Sequence, residues 1–334
     1  MMDSQQLLEL RSVSKRFAKP LDTAAKLGRL LGANVKEEIV HAIDNVDLSI
    51  RRGEVVGLVG ESGCGKSTLG RMAVGLHTLT AGKRLWKSEE IDVLPPAERR
   101  KKQLGMQMIF QDPYASLNPR MRVQDIVGEA PLVHGIVSKA EQLDYVESLL
   151  RKVGLDAGVL KRFPHQFSGG QRARVGIARA LAVKPEFLVC DESVAALDIS
   201  IQAQVINLFM QLREELDLTY LFISHDLSVV QHISDRVVIM YLGRVVEMAP
   251  AQEIFETPNH PYARALLAEA PTLEVKKKNF VAIQGEIPSP LNPPSGCHFH
   301  PRCPHATDRC KTEVPQLKEI APLRFSACHL NDQR

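Results

Sequence analysis

Residues 54–76 read EVVGLVGESGCGKSTLGRMAVGL, and this stretch decides the fold. A short apolar run, Glu54 to Val59, leads into GESGCGKST, Gly60 to Thr68, which is followed at once by the amphipathic LGRMAVGL. A glycine, four residues and then Gly-Lys-Ser/Thr, set between a strand and a helix, is the pattern of a phosphate-binding loop, or P-loop. Gly60, Gly63 and Gly65 allow the backbone to wrap a phosphate chain with its N–H groups inward, and Ser62, Cys64 and Thr68 complete that lining. The helix N-terminus adds positive potential, and Lys66 reaches the β and γ oxygens. Ser67 is then a ligand of Mg²⁺. Cys64 occupies a variable slot of the loop and reads as a small filler without a redox role.

Such a site needs an acidic group at the end of a second buried strand. FLVCDE, Phe187 to Glu192, supplies two in succession. Asp191 is placed to hold Mg²⁺ through water, and Glu192 to polarise an attacking water as general base. Further β-rich runs, YLFIS (Tyr220 to Ser224) and RVVIMY (Arg236 to Tyr241), alternate with helical patterns. Near-continuous apolar strands of this kind predict an α/β fold with a mostly parallel sheet covered on both faces. Between Leu104 and Gln171 the pattern turns mainly helical, and Leu143, Val146, Leu149, Leu150 and Val153 are expected on one helix face. With 334 residues, 44% hydrophobic and 24% charged, the chain is long enough for a large domain and a small one.

FSGGQ, Phe167 to Gln171, about twenty residues before the acidic strand, presents a hydroxyl and bare N–H groups at the start of a second helix. Here the sequence resembles the ABC ATPases, whose signature is usually LSGGQ. The resemblance implies a head-to-tail dimer in which the P-loop of one subunit and Ser168, Gly169, Gly170 and Gln171 of its partner clamp the same ATP. It implies that Gln111, in MQMIFQDPYASLNP, is the Q-loop residue that senses the γ-phosphate, joins the Mg²⁺ site and lines the contact with a membrane domain. Asp198, in ALD, matches the D-loop at the dimer seam, and His225, in LFISHD, the switch histidine on the γ-phosphate. Phe17, in VSKRF, matches the aromatic residue that stacks on the adenine, although the stretch from Ala18 to Val40 is long for the family. Two departures lie in DESVAALD, where relatives commonly carry Pro at position 193 and Ser at 195. The family architecture adds an antiparallel β subdomain and a helical subdomain, expected at about 112–170, to the P-loop core.

From Pro258 onward lie 11 of the 20 prolines and four of the six cysteines, which places a boundary between a nucleotide-binding domain, 1–259, and a C-terminal extension, 260–334. Cys297, Cys303, Cys310 and Cys328 are separated by five, six and seventeen residues. Four thiolates can close one metal site. Structural zinc normally includes ligands closer in sequence than these, whereas a [4Fe–4S] cluster accepts wider loops. His298, His300, His305 and His329 keep a mixed Cys/His zinc site open, and reduced or disulfide-linked cysteines are the remaining readings. QGEIPSPLNPPSGCHFHPRCP, NHPYARALLAEAP, QDPYASLNPRM and GESGCGKSTLGR resemble the ATPase subunits of oligopeptide and dipeptide importers, some of which hold a [4Fe–4S] cluster at these cysteines. That resemblance implies a second ATPase subunit, more often a paralogue, two transmembrane permease subunits and an extracytoplasmic peptide-binding protein. Some branches import nickel instead.

Forty-two Lys and Arg against 39 Asp and Glu leave a formal charge of +3, too balanced for a dedicated nucleic-acid binder. No apolar run approaches the roughly 18 residues of a membrane span, and the opening MMDSQQLLEL lacks a basic n-region. These features predict a cytoplasmic address with reduced thiols, and the resemblance to importer ATPases implies a peripheral subunit on the cytoplasmic face of the cell membrane. A soluble ABC ATPase of translation or DNA repair is the rival reading. The single cassette and the lack of a long insert between P-loop and signature count against it. So does the intact set of Lys66, Asp191, Glu192 and His225 against an ATP-binding subunit without turnover.

Overall fold

The computed structural model describes residues 6–18, 38–268 and 285–333. The long stretch after Ala18 and the run Lys276 to Lys278, expected as a solvated loop, fall wholly or largely outside them. Twelve strands are present among the described residues: β1 (Gln6–Ala18), β2 (Ile39–Arg51), β3 (Val55–Val59), β4 (Ala81–Trp86), β5 (Glu89–Glu90), β6 (Met106–Ile109), β7 (Phe187–Asp191), β8 (Thr219–Ile223), β9 (Arg236–Tyr241), β10 (Arg244–Pro250), β11 (Lys318–Ala321) and β12 (Arg324–Ser326).

They form two sheets. The larger has the order β11-β12-β10-β9-β3-β8-β7-β6, and its five strands from β9 to β6 run parallel. Every residue of β3, β7 and β8 is buried, as the unbroken apolar sequences VVGLV, FLVCD and TYLFI require of strands covered on both faces. Parallel pairing aligns their carboxyl ends: Leu58 of β3 lies opposite Ile223 of β8, and Asp191 of β7 opposite that same Ile223. The loops leaving β3, β6, β7 and β8 therefore open along one rim, the usual place for a ligand site in an open α/β sheet. The second sheet, β2-β1-β4-β5, is antiparallel and carries Phe17 opposite Val40.

The helical part contains Val123–Val133, Gln142–Lys152 and Gly169–Leu181, whose Val127, Val146, Leu150 and Val175 share one core with the sheet. Two local expectations need correction. Met106–Ile109, inside the stretch read as mainly helical, is the edge strand of the parallel sheet, paired along β7. Leu143 is 51% exposed, and Gln142 is buried in its place, donating its amide to the Gly128 carbonyl at 2.9 Å. A satisfied amide can be buried at little cost, so the buried face runs through 142, 146, 149, 150 and 153.

The Cys-rich segment is joined to the main sheet. β12 pairs antiparallel with β10 (Glu247 opposite Ser326), and β11 pairs with β12. Phe299, Tyr241 and Tyr262 pack tilted or edge-on to one another at centroid separations of 4.7 to 5.4 Å in a core that also contains Val59, the last residue of β3. No helix among the described residues is long and apolar enough to cross a membrane.

Candidate functional site

The P-loop leaves β3 and turns into the helix Lys66–Ala73. Gly65 caps that helix with φ 108°, and an added Cβ there would run into the Ala42 carbonyl oxygen. Glycine is thus required twice over, by backbone conformation and by close approach. Lys66 is only 5% exposed, and its Nζ donates to the carbonyls of Gly60 (2.7 Å) and Glu61 (3.1 Å). The ammonium is folded over the loop that a phosphate chain would occupy. Burial raises the Cys64 thiol above its ordinary range, against the pull of the Lys66 charge.

Ser67 Oγ donates to Asp191 Oδ1 at 2.8 Å, bringing the hydroxyl from the P-loop helix onto the acid at the end of β7. Asp191 is 1% exposed. Its burial pushes the carboxyl above the usual carboxylate range, while the Ser67 hydrogen bond and the charges of Arg71 and Lys66 oppose that shift. A divalent cation would supply the missing counter-charge, and a hydroxyl beside a carboxylate is the oxygen-rich donor set that Mg²⁺ takes. The residues present fit Mg²⁺.

Glu192 follows with φ 46°, an uncommon conformation for a residue with a side chain, and its N–H donates to the Ile223 carbonyl at 2.9 Å. Its carboxylate accepts from Gln111 Nε2 at 2.7 Å and lies 3.5 Å from His225 Nδ1. The residues singled out after β6, β7 and β8 thus meet at one carboxylate. Ser193, next in the chain, is buried with no hydrogen-bond partner for its hydroxyl.

Ser168 caps the helix Gly169–Leu181 by a reciprocal pair: its Oγ accepts from the Gln171 N–H at 3.3 Å, and its own N–H donates to the Gln171 side chain at 3.1 Å. A Cβ on Gly170 would collide with Ile201 in the next helix, so this glycine also serves packing. Ser168 and Gly169 are exposed. Their helix packs on β6 and on other helices, whereas the P-loop helix packs on β1, β2, β7 and β8. Asp198 caps Ile199–Leu216 without a side-chain capping bond, and Ile199 beside it is 87% exposed. Phe17 stands exposed on β1, edge-on to His77 at 5.4 Å and under Lys15 Nζ at 5.0 Å.

In the C-terminal segment Cys297, Cys303, Cys310 and Cys328 are free thiols, as are Cys64 and Cys190 upstream. Cys297, Cys303, Cys310 and Cys328 line one small cavity. Burial, together with the neighbouring thiols, raises Cys297 to about 11 and shifts Cys303 and Cys328 in the same direction. His298 Nδ1, His300 Nδ1 and His329 Nε2 are hydrogen-bonded to backbone carbonyls. Among the described residues no three or more His, Cys, Asp or Glu side chains come together as a metal-ion site. Tetrahedral zinc would hold four sulfurs about 3.8 Å apart. Neither the zinc nor the [4Fe–4S] expectation meets an assembled ligand set here, and both rest on the donor type and the shared cavity.

Sequence reasoning missed Glu61, Tyr262 and Arg302. Arg302 donates from its two terminal nitrogens to the two Glu61 carboxylate oxygens at 2.7 and 2.9 Å, and the Glu61 N–H donates to the Tyr262 hydroxyl at 2.9 Å. Nothing in the spacing of residues 61 and 302 signals that contact.

The ABC transporter family matches residues 43–195, and the oligopeptide/dipeptide transporter C-terminal region matches residues 246–310. The oligopeptide transport ATP-binding protein AppF of Bacillus subtilis is 48% identical over 98% of both chains. A putative peptide import ATP-binding protein of Brucella ovis is 50% identical over 86% of this chain and 90% of its own. Among solved structures, the dimeric bacterial ABC transporter cassette MJ0796 superposes with a TM-score of 0.62 at 28% identity, covering 73% of this chain and 99% of that one. Its post-hydrolysis dimer bound to ADP and Pi gives 0.61 with the same coverage. With the P-loop, the paired acids, the exposed signature and these likenesses together, the chain belongs to the ABC transporter family of ATPases.

Proposed function

We propose that this chain is the ATP-hydrolysing motor subunit of a peptide importer, bound to the cytoplasmic face of the membrane. The observation that carries this reading is the convergence of Gln111 and His225 on Glu192, one residue from the Ser67–Asp191 pair. ATP lies along the backbone of Gly60, Ser62, Gly63, Cys64, Gly65 and Thr68, with the adenine against Phe17. Lys66 turns from the loop carbonyls to the phosphate oxygens. Ser67, Asp191 and Gln111 would hold Mg²⁺, which when bound would offset charge on the phosphate oxygens. Glu192 accepts the proton of the attacking water, and His225 is placed to donate to the γ-phosphate.

Ser168 and Gly169 stand exposed at the start of their helix, with buried Gly170 and half-buried Gln171 behind them, and the phosphate that this turn meets belongs to a second ATPase subunit, with Asp198 and Ile199 at the seam. ATP joins the pair and hydrolysis releases it. The dimeric cassette MJ0796 and its post-hydrolysis form support this cycle. The peptide cargo rests on relatives named for oligopeptide transport and peptide import, and on the matching C-terminal region. Two permease subunits and an extracytoplasmic binding protein complete the system. The segment from residue 260 forms an extension in which Cys297, Cys303, Cys310 and Cys328 are the candidate holders of a [4Fe–4S] cluster. Such a cluster, when bound, supplies a one-electron centre and a covalent staple.

The test is peptide uptake by vesicles containing the assembled transporter. ATP-dependent uptake that disappears with Lys66→Ala supports the reading, and uptake indifferent to that change overturns it.

A further inference from the structure

Glu61, the second residue of the P-loop, is bound at three points. Its N–H donates to Tyr262, its carbonyl accepts from Lys66, and its carboxylate is gripped by both terminal nitrogens of Arg302. Two of these three partners come from beyond residue 260. Arg302 is itself fixed: its side chain is almost fully buried, its Nη1 also donates to the Tyr241 hydroxyl at 3.3 Å, and its backbone N–H donates to the Phe299 carbonyl at 3.0 Å. It belongs to the single turn His300–Arg302, beside the Tyr241, Tyr262 and Phe299 aromatic cluster. A two-pronged guanidinium–carboxylate pair fixes direction as well as distance. It therefore fixes the peptide unit between Gly60 and Ser62, where the loop must present its N–H groups to phosphate.

We infer that Arg302 is a positioning residue of the nucleotide site: through Glu61, and with Tyr262, the C-terminal extension holds the phosphate loop in its binding shape. This rests on the reading of the loop as an ATP site. A preorganised loop spares ATP the cost of ordering it, so the effect appears in affinity.

The experiment is equilibrium binding of Mg²⁺–ATP to the full chain and its variants. Arg302→Ala is expected to raise Kd about tenfold. Glu61→Ala should do the same, and the double variant should be no worse than either single change, because each removes the same contact. Arg302→Lys, which keeps the charge and loses the fork, should fall between Arg302→Ala and the unaltered chain. It also carries the test should Arg302→Ala fail to fold. Unchanged Kd in folded Arg302→Ala or Arg302→Lys, or penalties that multiply in the double variant, would overturn the inference. Failure of the unaltered chain to bind Mg²⁺–ATP would instead overturn the ATP-site reading.

Discussion

The Gln111 side-chain amide donates to the Glu192 carboxylate across 2.7 Å, tying the loop after β6 to the acid after β7. Gln111 is exposed, and Glu192 is not. A partner that touches the Gln111 loop thus has a mechanical route to the orientation of the acid, and His225 at 3.5 Å offers a second one from β8.

Glu192→Gln keeps the shape and the hydrogen bond from Gln111 but removes the proton acceptor. Turnover of the assembled transporter is expected to fall by about 100-fold or more, with ATP binding retained. Steady-state phosphate release measures it, and unchanged turnover would remove Glu192 from the general-base role.

His260 is buried and neutral, and its Nδ1 accepts from the Tyr262 N–H at 3.0 Å. Burial lowers its pKa from 6.5 to about 3. Below 6.5 the unfolded chain therefore binds a proton that the folded chain refuses, and stability falls as pH drops from 6.5 toward 3. At pH 5 the loss from this group is about 2 kcal/mol. Urea unfolding at pH 7 and pH 5 reads the difference; with His260→Gln, the part due to this residue should vanish.

The corrected face of the helix Gln142–Lys152 gives a stability contrast. Leu150→Ala, at a fully buried position, is expected to cost about 2–5 kcal/mol. Leu143→Ala, at an exposed one, should stay within about 0.5 kcal/mol. Equal losses in denaturant titration would contradict the assigned face.

Chain purified without oxygen should carry iron and visible thiolate-to-iron absorbance if Cys297, Cys303, Cys310 and Cys328 hold a [4Fe–4S] cluster. Both should be lost on replacing any two of the four by serine. Colourless, iron-free protein with four titratable thiols would exclude the cluster.

The buried strands were legible because β3, β7, β8 and β9 are short unbroken apolar runs ending in Gly, Asp or Ser. The P-loop and signature were legible as local patterns of residue type. β6 was not, because MQMI is four residues with a polar second position, next to helical sequence. KEIA and RFS become β11 and β12 only by pairing onto β10, and neither has an apolar run of its own. Gln142 displaced Leu143 because a carbonyl on another helix satisfies its amide, a partner invisible to periodicity. The Glu61–Arg302 pair spans 241 residues, and only the assembled sheet brings its halves together.

The most direct measurement is a distance between two spin labels in the assembled transporter carrying Glu192→Gln. One label replaces exposed His165, three residues before the signature serine of this chain, and the other flanks the phosphate loop of the second ATPase subunit. Mg²⁺–ATP should shorten the distance and Mg²⁺–ADP should leave it long. A distance that is the same with either nucleotide would contradict an ATP held between two subunits.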